Sequence, residues 1–152
     1  MNFRNITHFI TNFLDAYDIS CITKDEVENV VRFEGKLSLQ SILNDVFMNI
    51  TVLSYGGLTV EFVINDVEQS IENLKLVNKL NDELTWLKGH ITDDNQLVLS
   101  HSVIDVVSEE SVYSILETLY FEFTDEASLP FIHRLIGETD FHVSTLSNGV
   151  TY

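Results

Sequence analysis

Phe3, Ile6, Phe9, Ile10, Phe13, Leu14 and Tyr17 recur at intervals of three and four residues. That spacing lines up apolar side chains on one side of a helix, so residues 3 to 17 are predicted as an amphipathic helix with an aromatic face. After a polar stretch around Thr23 to Glu26, "VENVVRFEGKLSL" brings β-branched and aromatic residues without helical spacing, which predicts a strand ending near Gly35. "FMNITVLSYGGLTVEFVIN" holds two further β-rich runs around Gly56-Gly57, a pair able to supply the positive φ angles of a tight hairpin turn. On the second arm Val60, Phe62 and Ile64 alternate with Thr59, Glu61 and Val63, giving one apolar and one partly wet face.

Asp66 with Gln69 three residues later predicts a helix cap, and Val67, Ile71, Leu74, Val77, Leu80 and Leu84 supply the buried stripe of a helix over roughly 67 to 84. "TWLKGHIT" and "QLVLSHSVIDV" flank Asp93-Asp94-Asn95, residues that bond their own backbone in turns, and predict a second hairpin. Ser108 with Glu109-Glu110 opens a helix striped by Val112, Ile115, Leu116, Leu119 and Phe123. Ser128, with Leu129-Pro130 in the first turn, begins a short helix that stops at Gly137. The pattern predicts an α+β fold, an antiparallel sheet with helices packed on it in the order α-β-β-β-α-β-β-α. Residues 1 to 136 form a single domain in this reading, and 137 to 152, which show no clear period, form a C-terminal tail.

Eight Lys and Arg against twenty-four Asp and Glu set the net charge at −16. Such a chain repels nucleic-acid phosphate and anionic lipid, so direct binding to either is excluded from the expected partners. The acids are dispersed in pairs such as Asp25-Glu26, Glu109-Glu110 and Asp125-Glu126, the pattern of a solvated surface, with a surface tuned to a basic partner as the alternative. The longest apolar runs are strand-sized, well short of the roughly 20 residues that cross a bilayer. A single cysteine and an N-terminus without a basic start and apolar run give the expectation of a cytoplasmic protein.

Little in the chain is arranged for chemistry. Cys21 sits in "ISCIT", an apolar setting that predicts a core or semi-buried thiol, and there is no Gly-x-Ser-x-Gly. Gly56-Gly57 lies between strands and lacks the Lys-Ser/Thr of a phosphate-binding loop. Of the histidines at 8, 90, 101, 133 and 142, only one pair is brought together by construction. A turn about Asp94-Asn95 pairs His90 with Leu99 and makes His101 its diagonal neighbour on the same face, about 7–8 Å away. Two imidazoles are half a zinc site, and with Trp86, Lys88 and Val103 on that face they are expected to be strand histidines holding no metal. No catalytic residue and no cofactor are expected. Tyr113 and Tyr120, seven apart at one edge of the 112 to 123 stripe, are the interaction candidates, since tyrosine is enriched at interfaces as well as at core boundaries.

"LVNKLNDE" (76 to 83), "WLKGHITDDNQLVLSHSVI" (86 to 104) and "SEESVYSILETLYFEF" (108 to 123) together resemble the YbjN family, whose members share the fold of type III secretion chaperones. In that family a helix ending in an Asn-x-x-Asn segment, here Asn78 to Asn81 around the basic Lys79, is followed by a hairpin with an acidic turn and a last helix. The segment 36 to 47, "KLSLQSILNDVF", departs from the pattern by its length and helical features. The resemblance implies a non-enzymatic, homodimeric, chaperone- or adaptor-like module that binds another protein through its sheet and helix faces. The alternative, from charge, is an acidic inhibitor, an immunity protein or DNA mimic, directed at a basic nuclease or DNA-binding protein.

Overall fold

Buried apolar stripes and strand alternation account for most of the architecture in a computed structural model, which describes residues 3–39, 42, 45–106 and 108–137. The elements are α1 (Phe3–Ala16), β1 (Ser20–Val27), β2 (Val30–Leu37), β3 (Val46–Leu53), β4 (Leu58–Asn65), α2 (Ile71–Glu83), β5 (Lys88–Ile91), β6 (Gln96–Val103), α3 (Glu109–Thr124) and α4 (Leu129–Leu135). All neighbouring strands run antiparallel in one six-stranded sheet of order β1-β2-β3-β4-β6-β5. The fold is therefore α+β, as the pattern predicts, with one strand more before α2; the short helix expected from Ser128 is α4.

Alternation fixes which face of the sheet is covered. Val31, Phe33, Val46, Met48, Ile50, Val60, Phe62, Ile64, Leu97 and Leu99 point to the helices and belong to one buried apolar cluster with Ile6, Ile10, Phe13, Val112, Leu116, Leu119 and Phe123. At its centre the rings of Phe62 and Phe123 stack at 4.3 Å and 5°. Gly35 is required inside β2, because a Cβ there would lie 2.6 Å from Ile19 Cγ2 at the end of the α1 connection.

Several expectations are corrected. The polar stretch around Thr23 is not a connection but β1, an edge strand exposed at all eight positions and joined to β2 through a turn with Glu28 at φ 44°. With no helix over it, Cys21 is exposed and not a core thiol. Asp66 has φ 63° and does not cap a helix; α2 starts four residues later than Val67, at Ile71, where the Ser70 side chain accepts from the Asn73 amide. Val77, Leu80 and Leu84 are buried as the stripe predicts, whereas Ile71 and Leu74 are 74% and 48% exposed.

The last correction is one of register. The second hairpin turns through three residues, Asp93-Asp94-Asn95, with Asn95 left-handed at φ 59°, and Thr92 donates to Gln96 O at 2.8 Å. His90 consequently faces Val98 and not Leu99. A one-residue slip exchanges the two faces of a strand, so His90 and Lys88 lie on the uncovered face, while His101, Val103 and Trp86 line the helix side. In the first hairpin Gly56 alone of the two glycines takes a positive φ, 105°. The helical features expected within 36 to 47 fall partly on residues 40, 41, 43 and 44, and the expected tail falls on 138 to 152; both lie outside the described residues. No described helix is long and apolar enough to cross a membrane.

Candidate functional site

A single carboxylate organises the region between α2, α3 and the outer end of β6. Glu122, near the end of α3, accepts hydrogen bonds from three successive backbone amides: Thr85 at 2.8 Å, Trp86 at 2.9 Å and Leu87 at 2.6 Å. Consecutive amides turned toward one anion form a backbone nest, and here the nest draws the α2–β5 connection toward α3. The hairpin then begins late. β5 pairs with β6 only from Lys88–Ser100 to Ile91–Leu97, and β6 continues through His101, Ser102 and Val103 with β4 as its one strand neighbour. Across the gap His101 Nδ1 lies 3.0 Å from Trp86 O, and the Trp86 and His101 rings meet edge to face at 6.1 Å.

The second half of the Asn-x-x-Asn segment anchors the other end of this connection. Asn81 receives the Gly89 amide at 2.7 Å and donates to Gly89 O at 3.0 Å, so one side chain satisfies both polar groups of a β5 residue. Lys88 Nζ donates to Asn81 O and Leu84 O at 3.2 and 3.1 Å, placing a cation at the C-terminal end of α2, where the helix dipole favours it.

Between the tethered connection, the overhanging end of β6 and α3 lies a groove of about 340 Å³ lined by Trp86, His101, Val103, Ser111, Ser114, Ile115, Thr118 and Leu119. None of these side chains is an Asp, Glu, Lys or Arg, in a chain of which 21% is charged. Trp86 is 51% exposed at its rim. An apolar floor with hydroxyls along one wall and, at the end of β6, the backbone of Ser102 facing away from β4 suits a short uncharged peptide segment, with its side chains in the floor.

The uncovered face of the sheet offers a different surface. Two adjoining depressions of about 430 and 300 Å³ share Glu34, Asn49 and Glu61, which sit side by side on β2, β3 and β4. Asn49 Oδ1 is buried without a hydrogen-bond partner, flanked by two carboxylates that can only accept. The sign of charge on this face is mixed: Asp25, Glu34 and Glu61 are interleaved in register with Arg32 and Lys36. Lys36 also pairs with Asp45 at 3.2 Å.

Tyr113 and Tyr120 are brought together by the fold, but against α1 and not in the groove. Both stand edge-on to Phe13, at 5.8 and 6.1 Å, and Tyr120 also meets Tyr17 at 4.8 Å. Tyr17 donates to Glu117 at 2.5 Å, and this hydrogen bond, with burial and the carboxylate charge, pushes its hydroxyl up from 10.0 to about 12. Burial and then the charge of Asp18 raise Tyr120 as well. His90 and His101 lie on opposite sheet faces, and among the described residues no three His, Cys, Asp or Glu side chains gather as a metal site would need. Sequence reasoning passed over Trp86, Ile115 and Thr118 as groove residues, and Glu122 as the residue that tethers the α2–β5 connection. The one local signal was an exposed-side tryptophan directly after a helix end. Compared with known proteins, the chain matches no family model, no curated protein and no solved structure.

Proposed function

We propose that the chain is a non-enzymatic protein-interaction module, adaptor- or chaperone-like, which holds an extended, uncharged segment of another protein in the groove beside Trp86. The observation that carries this reading is the coincidence of an uncharged cleft with the end of β6 beyond β5, where the backbone of Ser102 faces away from β4. The resemblance to the YbjN family supports it, since a helix, β2 to β4, α2, β5, β6 and α3 follow one another in the order the resemblance implies, with β1 added. The same reading places the protein in the cytoplasm and expects a homodimer, for which the exposed pairs Ile22 and Val27 on β1 and Ile71 and Leu74 on α2 are the available apolar surfaces. Tyr113 and Tyr120 serve it as packing between α1 and α3. An acidic inhibitor would call for carboxylates of one sign gathered on a surface, and the interleaved charges of the open sheet face favour it less.

Affinity capture from a lysate of the source cells tests the reading, with three baits compared by mass spectrometry: the natural chain, Thr118→Arg and Glu61→Lys. Thr118 is exposed at the groove wall, so an arginine there blocks the cleft without entering the core. Proteins retained by the natural chain and by Glu61→Lys but lost with Thr118→Arg are expected. Loss with Glu61→Lys and retention with Thr118→Arg would move the binding surface to the open sheet face.

A further inference from the structure

We infer that two copies of the chain join edge to edge through β1, antiparallel about a two-fold axis at Asp25, so that Lys24 of each copy faces Glu26 of the other. The inference rests on the homodimer expected above and names its interface, which leaves the groove beside Trp86 free.

Of the two sheet edges, one is closed by side chains. On β5 the Asn81 side chain takes both polar groups of Gly89, and the Gln69 amide donates to Ile91 O at 3.1 Å. These contacts occupy backbone that a further strand would need. β1 is different: all eight of its residues are exposed, Ile22 and Val27 among them. Val27 and Val30 flank a two-residue turn, Glu28-Asn29, and such a flanking pair exchanges its hydrogen bonds. Alternation from there turns the backbone of Asp25 and Thr23 to β2 and leaves that of Lys24 and Glu26 facing outward.

Charge then selects the partner and the register. An edge lysine ordinarily keeps strands apart, and the irregularity between Cys21 and Thr23 limits regular pairing to residues 23 to 27. Side chains alternate between faces, so a two-fold axis normal to the sheet must pass beside one residue, which meets its own copy. An axis at Lys24 sets lysine against lysine, and one at Glu26 sets glutamate against glutamate; like charges directly opposite are destabilising. An axis at Thr23 or Val27 runs the pairing into the irregularity or the turn. At Asp25 the axis sets Lys24 against Glu26 twice, on the face where their β2 neighbours are Phe33 and Val31. Thr23 falls opposite Val27, and at each end Ile22 of one copy comes within one position of Val27 of the other. The two Asp25 side chains meet on the opposite face, each with Arg32 beside it on β2, so the charges there run plus, minus, minus, plus. The outward backbone of Lys24 and Glu26 makes about four hydrogen bonds across this register.

Sedimentation of the full chain across a dilution series, at about 0.15 M salt to screen the repulsion between two chains of charge −16, tests this. The natural chain is expected to dimerise. Lys24→Glu and Glu26→Lys should each raise the dissociation constant by about tenfold or more, because each turns both attractions into repulsions. Mixing the two single variants restores opposite charges across the axis, as does the Lys24→Glu/Glu26→Lys exchange in one chain, so both are expected to dimerise like the natural chain. In a Cys21→Ser chain, Asp25→Cys puts two thiols at the axis on backbones about 4.5 Å apart and should cross-link when oxidised with diamide, whereas Thr23→Cys should not. A natural chain that stays monomeric overturns the homodimer and the inference together, and partner capture lost in Lys24→Glu would then give the edge to a strand of another protein. A dimer indifferent to Lys24→Glu, or one that Asp25→Cys fails to cross-link, overturns the inference and leaves the homodimer standing. The groove reading is judged separately, by capture with Thr118→Arg.

Discussion

Replacing Glu122 with alanine removes the acceptor for the amides of Thr85, Trp86 and Leu87 at once. The cost depends on what replaces the carboxylate. Thr85 and Trp86 are exposed, and water can take over their amides for a few tenths of a kcal/mol each. Leu87 is different: its residue is 0% exposed, so its amide is left without a partner or forces the connection to move. An unsatisfied donor of this kind, previously bonded to an anion, costs about 2 kcal/mol, and the three together about 2–3 kcal/mol. For a chain of this length that lowers Tm by roughly 4–10 °C. Glu122→Gln, which keeps one oxygen but sets an NH2 against the amides, should fall between the two. Urea unfolding followed by Trp86 fluorescence and by circular dichroism measures the loss, with Glu126→Ala, an exposed neighbour, as the control expected within about 0.5 kcal/mol of the natural chain. A Glu122→Ala loss below about 0.5 kcal/mol would show that the connection does not depend on this carboxylate, and the account of how the groove is held open would fail with it.

Three further outcomes are expected. Gly35→Ala drives a methyl to 2.6 Å from Ile19 Cγ2 and should destabilise by about 1–3 kcal/mol in the same unfolding assay; an unchanged midpoint would mean that the Ile19 contact yields freely. The folded state holds the Tyr17 proton more tightly than the unfolded chain does, through Glu117, so this contribution is complete below pH 10 and is lost as pH rises from 10.0 to about 12. Melting curves across that range should converge for the natural chain and Tyr17→Phe, and parallel curves would deny the link. Association with a captured partner should slow by less than about tenfold between low and high salt, because apolar burial and not charge steering is proposed to drive it; a steeper fall would favour the inhibitor reading.

Elements whose side chains meet the core were legible in the sequence, and those set by solvent or by distant contacts were not. Helix α3 shows its stripe because Val112, Leu116, Leu119 and Phe123 must all be buried. Strand β1 shows none, since water meets both of its faces and no alternation is selected, so it read as a polar connection. The hairpin of β5 and β6 was legible from Asp93-Asp94-Asn95, but its register was not: whether Asn95 is the second residue of a two-residue turn or the left-handed close of a three-residue loop decides the pairing, and both fit the same letters. That single residue separates His90 from His101. The groove was the least legible feature. It exists because Glu122 reaches residues 35 to 37 positions away in the chain, and no periodicity or spacing encodes such a contact. Tyr113 and Tyr120 drew notice by residue type, and their position against Phe13 follows from how α1 crosses α3.

Titration of the protein with a captured partner, read through Trp86 emission, tests the central claim most directly, because the one tryptophan stands half-exposed at the rim of the groove. The account predicts a saturable shift to shorter wavelength as the partner covers the indole, and weakened binding by Thr118→Arg. Binding that leaves Trp86 emission unchanged and is equally tight to Thr118→Arg would contradict it.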